Sequence, residues 1–260
     1  MNTMKPLVVR GRILNHPGRA LICTPLVART ADAIQSELAM ILPKKPDVIE
    51  WRVDFFKEIH DANRVIAVAR SIREAAGAIP IIFTRRAVQE GGEAINFAED
   101  AVVALYEQVI ATGAIDFIDY ELGQAAQHRA QLRAIARAHD VAMIMSYHNF
   151  SATPGRAELV DKIIDAEREG ADIAKLAVMP KSPADVLVLL EATLMASERV
   201  QIPLIALSMG AMGAITRVCG PMFGSALTFA VGAGRSAPGQ VPIDELRRAL
   251  ATIEQAGSNK

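Results

Sequence analysis

Residues 141–178 read VAMIMSYHNFSATPGRAELVDKIIDAEREGADIAKLAV. Val141–Tyr147 is a short apolar run, Ala157–Glu169 carries apolar residues at helical spacing, and Ile173–Val178 is again short and apolar. A strand, a helix and a second strand in this order make a unit whose two strands run parallel, because the crossing helix returns the chain to its starting end. Outward from this unit the same alternation continues. The other predicted strands are Leu21–Cys23, Val48–Asp54, Ile79–Thr84, Ile115–Tyr120, Leu204–Leu207 and Ala226–Val231. Helical patterns fall between them, at Asp32–Leu42, Asn63–Ala76, Ala98–Ala111, Gln124–His139 and Pro183–Ala196, and a last one follows at Ile243–Gln255.

Eight strands separated by helices, with no linker-like stretch, predict an α/β fold over residues 1–260 as one domain. An open, doubly wound sheet competes, but no GxGxxG follows the first strand, where a dinucleotide-binding sheet would place it. A (β/α)8 TIM barrel, usually about 250 residues long, fits the length better. Residues Pro6–Gly18 read as an extra N-terminal β-hairpin that closes one end.

Lys and Arg number 28 against 29 Asp and Glu, so no basic excess marks a nucleic-acid or anionic-membrane surface. Cys23 and Cys219 sit in apolar runs without a CxxC pair or a nearby His at metal-ligand spacing. They read as buried free thiols in a reducing cytoplasm. Met1–Leu14 is broken by Lys5, Arg10 and Arg12 and lacks the apolar core of a signal peptide. From Ile202 to Gly234 the only charge is Arg217, a stretch longer than the roughly 20 residues that span a bilayer. Pro203, Pro221 and repeated glycines cut it into short pieces, so it reads as strand, turn, helix and strand.

Alternate side chains of a strand share a face. Over Val48-Ile49-Glu50-Trp51-Arg52-Val53-Asp54 this puts Glu50, Arg52 and Asp54 on one face and Ile49, Trp51 and Val53 on the other. The apolar face suits packing under helices, so three charges turn into the barrel. Buried charges must be paired or used, which leaves an ion pair or a polar pocket for a hydroxylated or anionic ligand. His148 ends a predicted strand, at the barrel end where active sites lie. Lys175 is the single charge of its strand. Burial disfavours the ammonium form of a lysine and raises the share of neutral amine that attacks carbonyls. Asp119 and Glu121 alternate on the fourth strand and are candidates for counter-charge or orientation. Arg85-Arg86-Ala87-Val88-Gln89-Glu90-Gly91-Gly92-Glu93 forms a charged rim loop in which the glycine pair reads as a flexible turn. Arg217, alone in its neighbourhood, suits a carboxylate clamp, since a guanidinium binds both oxygens. The last rim loop, residues 232–240, is rich in Gly, Ser and Pro and reads as a mobile lid.

Several stretches together resemble one family. They are Glu50-Trp51-Arg52-Val53-Asp54, Glu90-Gly91-Gly92-Glu93, Ser146-Tyr147-His148-Asn149-Phe150 and Lys175-Leu176-Ala177-Val178-Met179-Pro180. Ser208-Met209-Gly210, Arg217 and Phe223-Gly224-Ser225 through Phe229 continue the series in the same order. The chain is similar over most of its length to the type I 3-dehydroquinate dehydratases. That resemblance implies a hydro-lyase of the shikimate pathway, leading to aromatic amino acids, which converts 3-dehydroquinate to 3-dehydroshikimate. It implies an imine (Schiff base) on Lys175, His148 as base and then acid, and Glu90 orienting His148. Arg217 is implied to hold the substrate carboxylate, and Glu50, Arg52 and Arg86 its hydroxyls. Thr24, Met209, Phe229, Ser236 and Gln240 complete the implied pocket. One departure is visible: Cys23-Thr24-Pro25 ends the first strand where the resemblance implies a serine, and Thr24 keeps a hydroxyl. No metal or organic cofactor is implied, since the imine is the electron sink, and a homodimer is implied by likeness alone.

Two rivals remain at this level. A class I aldolase would need a phosphate site near the last two strands, where Ser208–Gly213 is glycine-rich, yet Arg217 with Glu50 and Arg52 suits a carboxylated polyol better. A barrel that binds a ligand without turning it over is the other, and it leaves the joint presence of Glu90, His148 and Lys175 unexplained.

Overall fold

The alternation read along the chain becomes a ring of parallel strands. The computed structural model describes residues 6–9, 12–13 and 19–258. A short antiparallel hairpin, β1 (Val8–Val9) and β2 (Arg12–Ile13), precedes the ring. Eight parallel strands follow: β3 (Leu21–Leu26), β4 (Val48–Arg52), β5 (Ile81–Thr84), β6 (Phe117–Glu121), β7 (Ala142–Asn149), β8 (Ile173–Val178), β9 (Leu204–Ser208) and β10 (Leu227–Phe229). They lie in the order β10-β3-β4-β5-β6-β7-β8-β9. Between β9 and β10 the seam is bridged at Leu204 and Ser225, where the Ala226 N–H donates to the Leu204 carbonyl at 2.8 Å. The result is a nearly closed (β/α)8 barrel.

The helices are α1 (Ala31–Ile41), α2 (Ala62–Ala76), α3 (Glu99–Ile110), α4 (Ala126–Ala138), α5 (Arg156–Arg168), α6 (Pro183–Ser197), the single turns α7 (Gly210–Gly213) and α8 (Thr216–Cys219), and α9 (Ile243–Ser258). Their starts have local causes. The Asp61 carboxylate accepts from the Asn63 and Arg64 N–H groups and begins α2. Pro183 takes the first position of α6 while Asp185 accepts the Ser182 N–H at 3.0 Å.

Side chains that point inward from alternate strands stack in layers, as this architecture requires. The lowest layer is Val48, Phe117, Ile173 and Leu227; the next is Cys23, Ile82, Ile144 and Ile205. Leu7 and Val9 from the N-terminal hairpin pack against this cluster and close that end. Two residues further along β4, β6, β8 and β10, the third layer is Glu50, Asp119, Lys175 and Phe229. On the outer side of the ring, Trp51 of β4, Phe83 of β5 and Tyr120 of β6 meet Tyr106 of α3 edge to face, with ring centroids 5.0–5.8 Å apart along the row. Three buried or partly buried aspartates hold the lower ends in register: Asp47, Asp116 and Asp172 accept the N–H of Ile22, Ile81 and Met143 at 2.8–2.9 Å. Each lies three positions before Glu50, Asp119 or Lys175, so the strands that carry the charged layer start from fixed points.

Two strand ends that bear on the site differ from the sequence reading, while the segment 202–234 follows it. The first strand runs on through Leu26, paired with β4. The second ends at Arg52, and Val53–Phe55 forms a 3-10 turn, so Asp54 does not share the strand face of Glu50. The segment 202–234 resolves into β9, α7, α8, a 3-10 turn at Gly220–Phe223 and β10. Among the described residues no helix is long and apolar enough to cross a membrane.

Candidate active site

The charged layer is a connected set. The Lys175 ammonium donates to Asp119 Oδ2 at 2.7 Å, lies 3.5 Å from Glu50 Oε1, and sits 4.6 Å from the centroid of the Phe229 ring. Lys175 is therefore not alone: its counter-charges come from β4 and β6, the alternate strands of its own layer. Glu50 Oε1 also accepts the Thr84 hydroxyl at 3.0 Å. Asp119 Oδ1 accepts from Arg86 Nη2 at 2.7 Å and from the Ser146 hydroxyl at 2.6 Å. Burial alone would raise the Asp119 carboxyl, but Arg86 and Lys175 outweigh it and hold it well below the usual carboxylate range.

Above this layer the rim is built on Arg86. Its Nη1 donates to Ser146 at 2.7 Å and to Glu121 Oε1 at 3.2 Å. Burial works against the Arg86 charge, and Asp119, Glu121, Glu90 and Glu50 more than offset it, so its pKa is raised. Glu121 Oε1 also accepts the Ala87 N–H at 2.6 Å and fixes the start of the loop that carries Glu90. That loop is tighter than its glycine pair implies. The Gly92 N–H donates to the Ala87 carbonyl at 2.9 Å, and a Cβ on Gly92 would overlap the Arg86 carbonyl. Gly92 is there for close approach rather than for motion.

The loop presents Glu90 to His148 at the end of β7. Glu90 Oε2 accepts the His148 backbone N–H at 3.0 Å and lies 2.8 Å from Nδ1. An oxygen that already accepts one N–H accepts the second as well, so the ring proton sits on Nδ1 and leaves Nε2 with a free lone pair. Burial, with Arg86 and Lys175 nearby, pushes the His148 pKa well below 6.5, so the ring is neutral at pH 7. Burial likewise raises Glu90, to about 8. Oε2 serves as the acceptor whether or not Oε1 carries a proton.

Arg217 stands across the pocket on α8. Nε donates to the Gly239 carbonyl at 2.8 Å, Nη2 to Pro238 at 3.1 Å and Nη1 to Phe229 at 3.2 Å. Among the described residues no carboxylate pairs with it, and burial lowers its pKa to about 10. Of the five N–H groups of a guanidinium these bonds use three, which leaves one on each terminal nitrogen. The same bonds tie the 232–240 loop to the rim, a restraint its composition does not show. A Cβ on Gly239 (φ 76°) would overlap the Gly210 carbonyl, and Ser236 and Gln240 hydrogen-bond to each other at 3.0–3.1 Å.

One cavity at the rim collects these groups. Glu50, Arg52, Arg86, Glu90, His148, Lys175, Met209, Arg217, Phe229, Ser236 and Gln240 all line it. Arg52 is gripped from behind by Asp54, with Nε–Oδ1 at 2.8 Å and Nη2–Oδ2 at 2.7 Å, so both readings of that charged strand apply: an ion pair holds a pocket residue. Thr24 is the exception among the expected residues. Cys23 belongs to the interior cluster, so by alternation Thr24 points outward; its hydroxyl is buried without a hydrogen-bond partner among the described residues. Phe150, Ala177 and Leu207 also line the cavity and were not expected from the sequence. Phe150 follows His148 in the quoted motif, and Ala177 lies two positions after Lys175 on the inner face, so both carried a usable signal.

A barrel with a buried lysine, a neutral histidine and an acid-free arginine around one rim cavity is an enzyme scaffold. The chain belongs to the type I 3-dehydroquinase family, which residues 22–256 match. A protein named 3-dehydroquinate dehydratase from Albidiferax ferrireducens is 52% identical over 256 residues, covering 98% of this chain and 97% of that one. The crystal structure of 3-dehydroquinate dehydratase from Geobacillus kaustophilus superposes with a TM-score of 0.96 at 44% identity, covering 100% of both chains. The type I 3-dehydroquinate dehydratase of Clostridium difficile, solved with covalently modified comenic acid, gives 0.94 at 36% identity over 98% of this chain and 100% of that one. This membership makes the chain a hydro-lyase.

Proposed function

We propose that the chain is a 3-dehydroquinate dehydratase of the shikimate pathway, which removes water from 3-dehydroquinate through an imine on Lys175. The observation that carries this reading is one cavity shared by the Lys175 amine, the neutral His148 ring and an Arg217 without an acidic partner. The Arg217 edge left free takes the substrate carboxylate as a charge-assisted pair. Lys175 attacks the ketone, whose oxygen leaves as water, and a protonated C=N bond remains. That cation draws electrons from the adjacent carbon, so its proton becomes acidic enough for His148 Nε2 to remove. The carbanion's electron pair returns to expel the hydroxyl one carbon further on. His148 gives its proton to that hydroxyl, which leaves as water, and hydrolysis of the imine frees 3-dehydroshikimate and Lys175.

Glu90 keeps the His148 tautomer through Nδ1 and is a positioning residue in this scheme. Glu50, Arg52 and Arg86 face the substrate hydroxyls, with Ser236 and Gln240 above them and Met209 and Phe229 as apolar walls. Thr24 has no part, because its side chain lies outside the barrel interior. The protonated imine is the electron sink, so the scheme needs no metal or organic cofactor. By likeness to its relatives the chain acts as one catalytic domain, as a cytoplasmic homodimer. The direct test is absorbance: purified protein with 3-dehydroquinate should generate the conjugated enone of the product. A flat trace with folded protein rejects the activity.

A further inference from the structure

An ammonium and a ketone combine to give a protonated imine and water. The nitrogen passes two of its three protons to the ketone oxygen, the C–O bond breaks, the C=N bond forms, and the positive charge stays on nitrogen. A group that balances the ammonium therefore balances the iminium too, provided that it stays ionised and does not move.

Asp119 meets both conditions. Its Oδ2 is 2.7 Å from the Lys175 nitrogen, while Oδ1 is held by Arg86 at 2.7 Å and Ser146 at 2.6 Å. The Tyr106 hydroxyl donates to the Asp119 carbonyl at 2.9 Å, which fixes the backbone as well, and the side chain has no exposure. Arg86 and Lys175 keep the carboxyl ionised against the opposing effect of burial. Glu50 is the nearest other acid, but it is 3.5 Å away and its near oxygen is shared with the Thr84 hydroxyl. Glu121 and Glu90 lie beyond Arg86 and are paired with it. The three other titratable or charged groups that face the pair among the described residues are Arg86 after β5, His148 from β7 and Cys23 from β3. The first is cationic, and the Cys23 thiol is pushed up by burial and stays neutral. The His148 ring is neutral too, so none of the three supplies a negative charge.

We propose that Asp119 is the fixed counter-ion of the Lys175 nitrogen, as ammonium and then as iminium, and so the positioning residue that keeps the imine protonated. The proposal rests on the imine chemistry proposed above.

Cyanoborohydride reduces protonated imines, so the rate of covalent trapping with 3-dehydroquinate falls on the alkaline side as the imine loses its proton. Asp119→Asn keeps an oxygen for Arg86 and Ser146 and replaces Oδ2 with an uncharged NH2 that cannot accept from the Lys175 nitrogen. The alkaline limb should then move down by about 1–3 pH units, the usual effect of one adjacent opposite charge, with kcat lowered more than KM. Glu50→Gln should leave that limb in place. A folded Asp119→Asn protein, checked by circular dichroism and melting, that keeps the wild-type limb overturns the proposal, as does a larger displacement in Glu50→Gln. If Asp119→Asn does not fold, Glu50→Gln decides: an unmoved limb supports Asp119 and a moved limb overturns it. Wild-type protein that forms no adduct overturns the imine itself, and the counter-ion with it.

Discussion

The lower and upper halves of the barrel interior obey one geometric rule and serve opposite ends. In the lower layers Val48, Phe117, Ile173 and Leu227, with Cys23, Ile82, Ile144 and Ile205, fill the space with apolar side chains. Each large one stabilises the fold by about 1.5–3 kcal/mol through burial alone. One layer higher the same strands β4, β6 and β8 place Glu50, Asp119 and Lys175, which are equally buried but depend on one another. Removing one partner of a buried pair strands the other, at a cost of about 3–5 kcal/mol. The lower half tolerates solitary residues, whereas the upper half works only as a set. Its chemistry stands on a floor that makes no polar demands.

That contrast can be broken in several places. The largest effect belongs to the upper half: His148→Ala should lower kcat by about 10²–10⁴-fold, the usual share of a general acid–base, while Lys175 still forms its adduct. Near-normal turnover would make His148 a structural residue. In the lower half, Phe117→Ala should lower unfolding free energy by about 3–5 kcal/mol while changing kcat and KM of the folded protein far less than His148→Ala does, because Phe117 belongs to the apolar cluster and not to the charged layer. A collapse of kcat in protein that remains folded would show that the two halves are not separable.

Arg217→Ala is smaller and sharper. It removes the proposed partner of the substrate carboxylate and also releases the Gly239 and Pro238 carbonyls. KM should rise by roughly tenfold or more, a loss of about 1.4 kcal/mol, and amide exchange over residues 232–240 should quicken. An unchanged KM with unchanged exchange would make Arg217 a purely structural charge.

The mildest change is Glu90→Gln. The folded pKa of Glu90 is raised to about 8 from the ordinary value of 4.5. A raised group adds stability below its unfolded pKa and loses it as pH rises through the folded one. Wild-type stability should therefore decline, through this group, between pH 4.5 and about 8. The variant lacks that decline, so urea unfolding at pH 8 should find it the more stable by ~1 kcal/mol or more. His148 has the opposite sign: its pKa is depressed, so the base form persists above it and kcat/KM should fall only when pH drops below 6.5. An acid limb above 6.5 would contradict the neutral ring.

Much of this was legible because strand alternation is strict where one face is apolar. Trp51 between Glu50 and Arg52, and Leu176 beside Lys175, fix which side chains turn inward. The reading failed where that contrast is weak. In Ile22-Cys23-Thr24-Pro25-Leu26 either phase presents an apolar face, so alternation gave no check on Thr24, whose place in the pocket came from the resemblance alone. Asp54 went wrong for a local reason: its bidentate bond to Arg52 curls the chain into a 3-10 turn at the strand end. The partners of Lys175 lie 56 and 125 residues away, a pairing set by the closed ring and not by any local pattern. Gly92 and Gly239 looked like hinges, because a glycine needed for close packing and one needed for motion look alike in a sequence.

The most direct measurement of the central claim is covalent trapping followed by peptide mapping. Protein reduced with borohydride in the presence of 3-dehydroquinate should lose activity and carry the reduced substrate on the peptide that contains Lys175. A Lys175→Ala protein should remain unlabelled. An adduct on another residue, or none on active wild-type protein, would contradict the account.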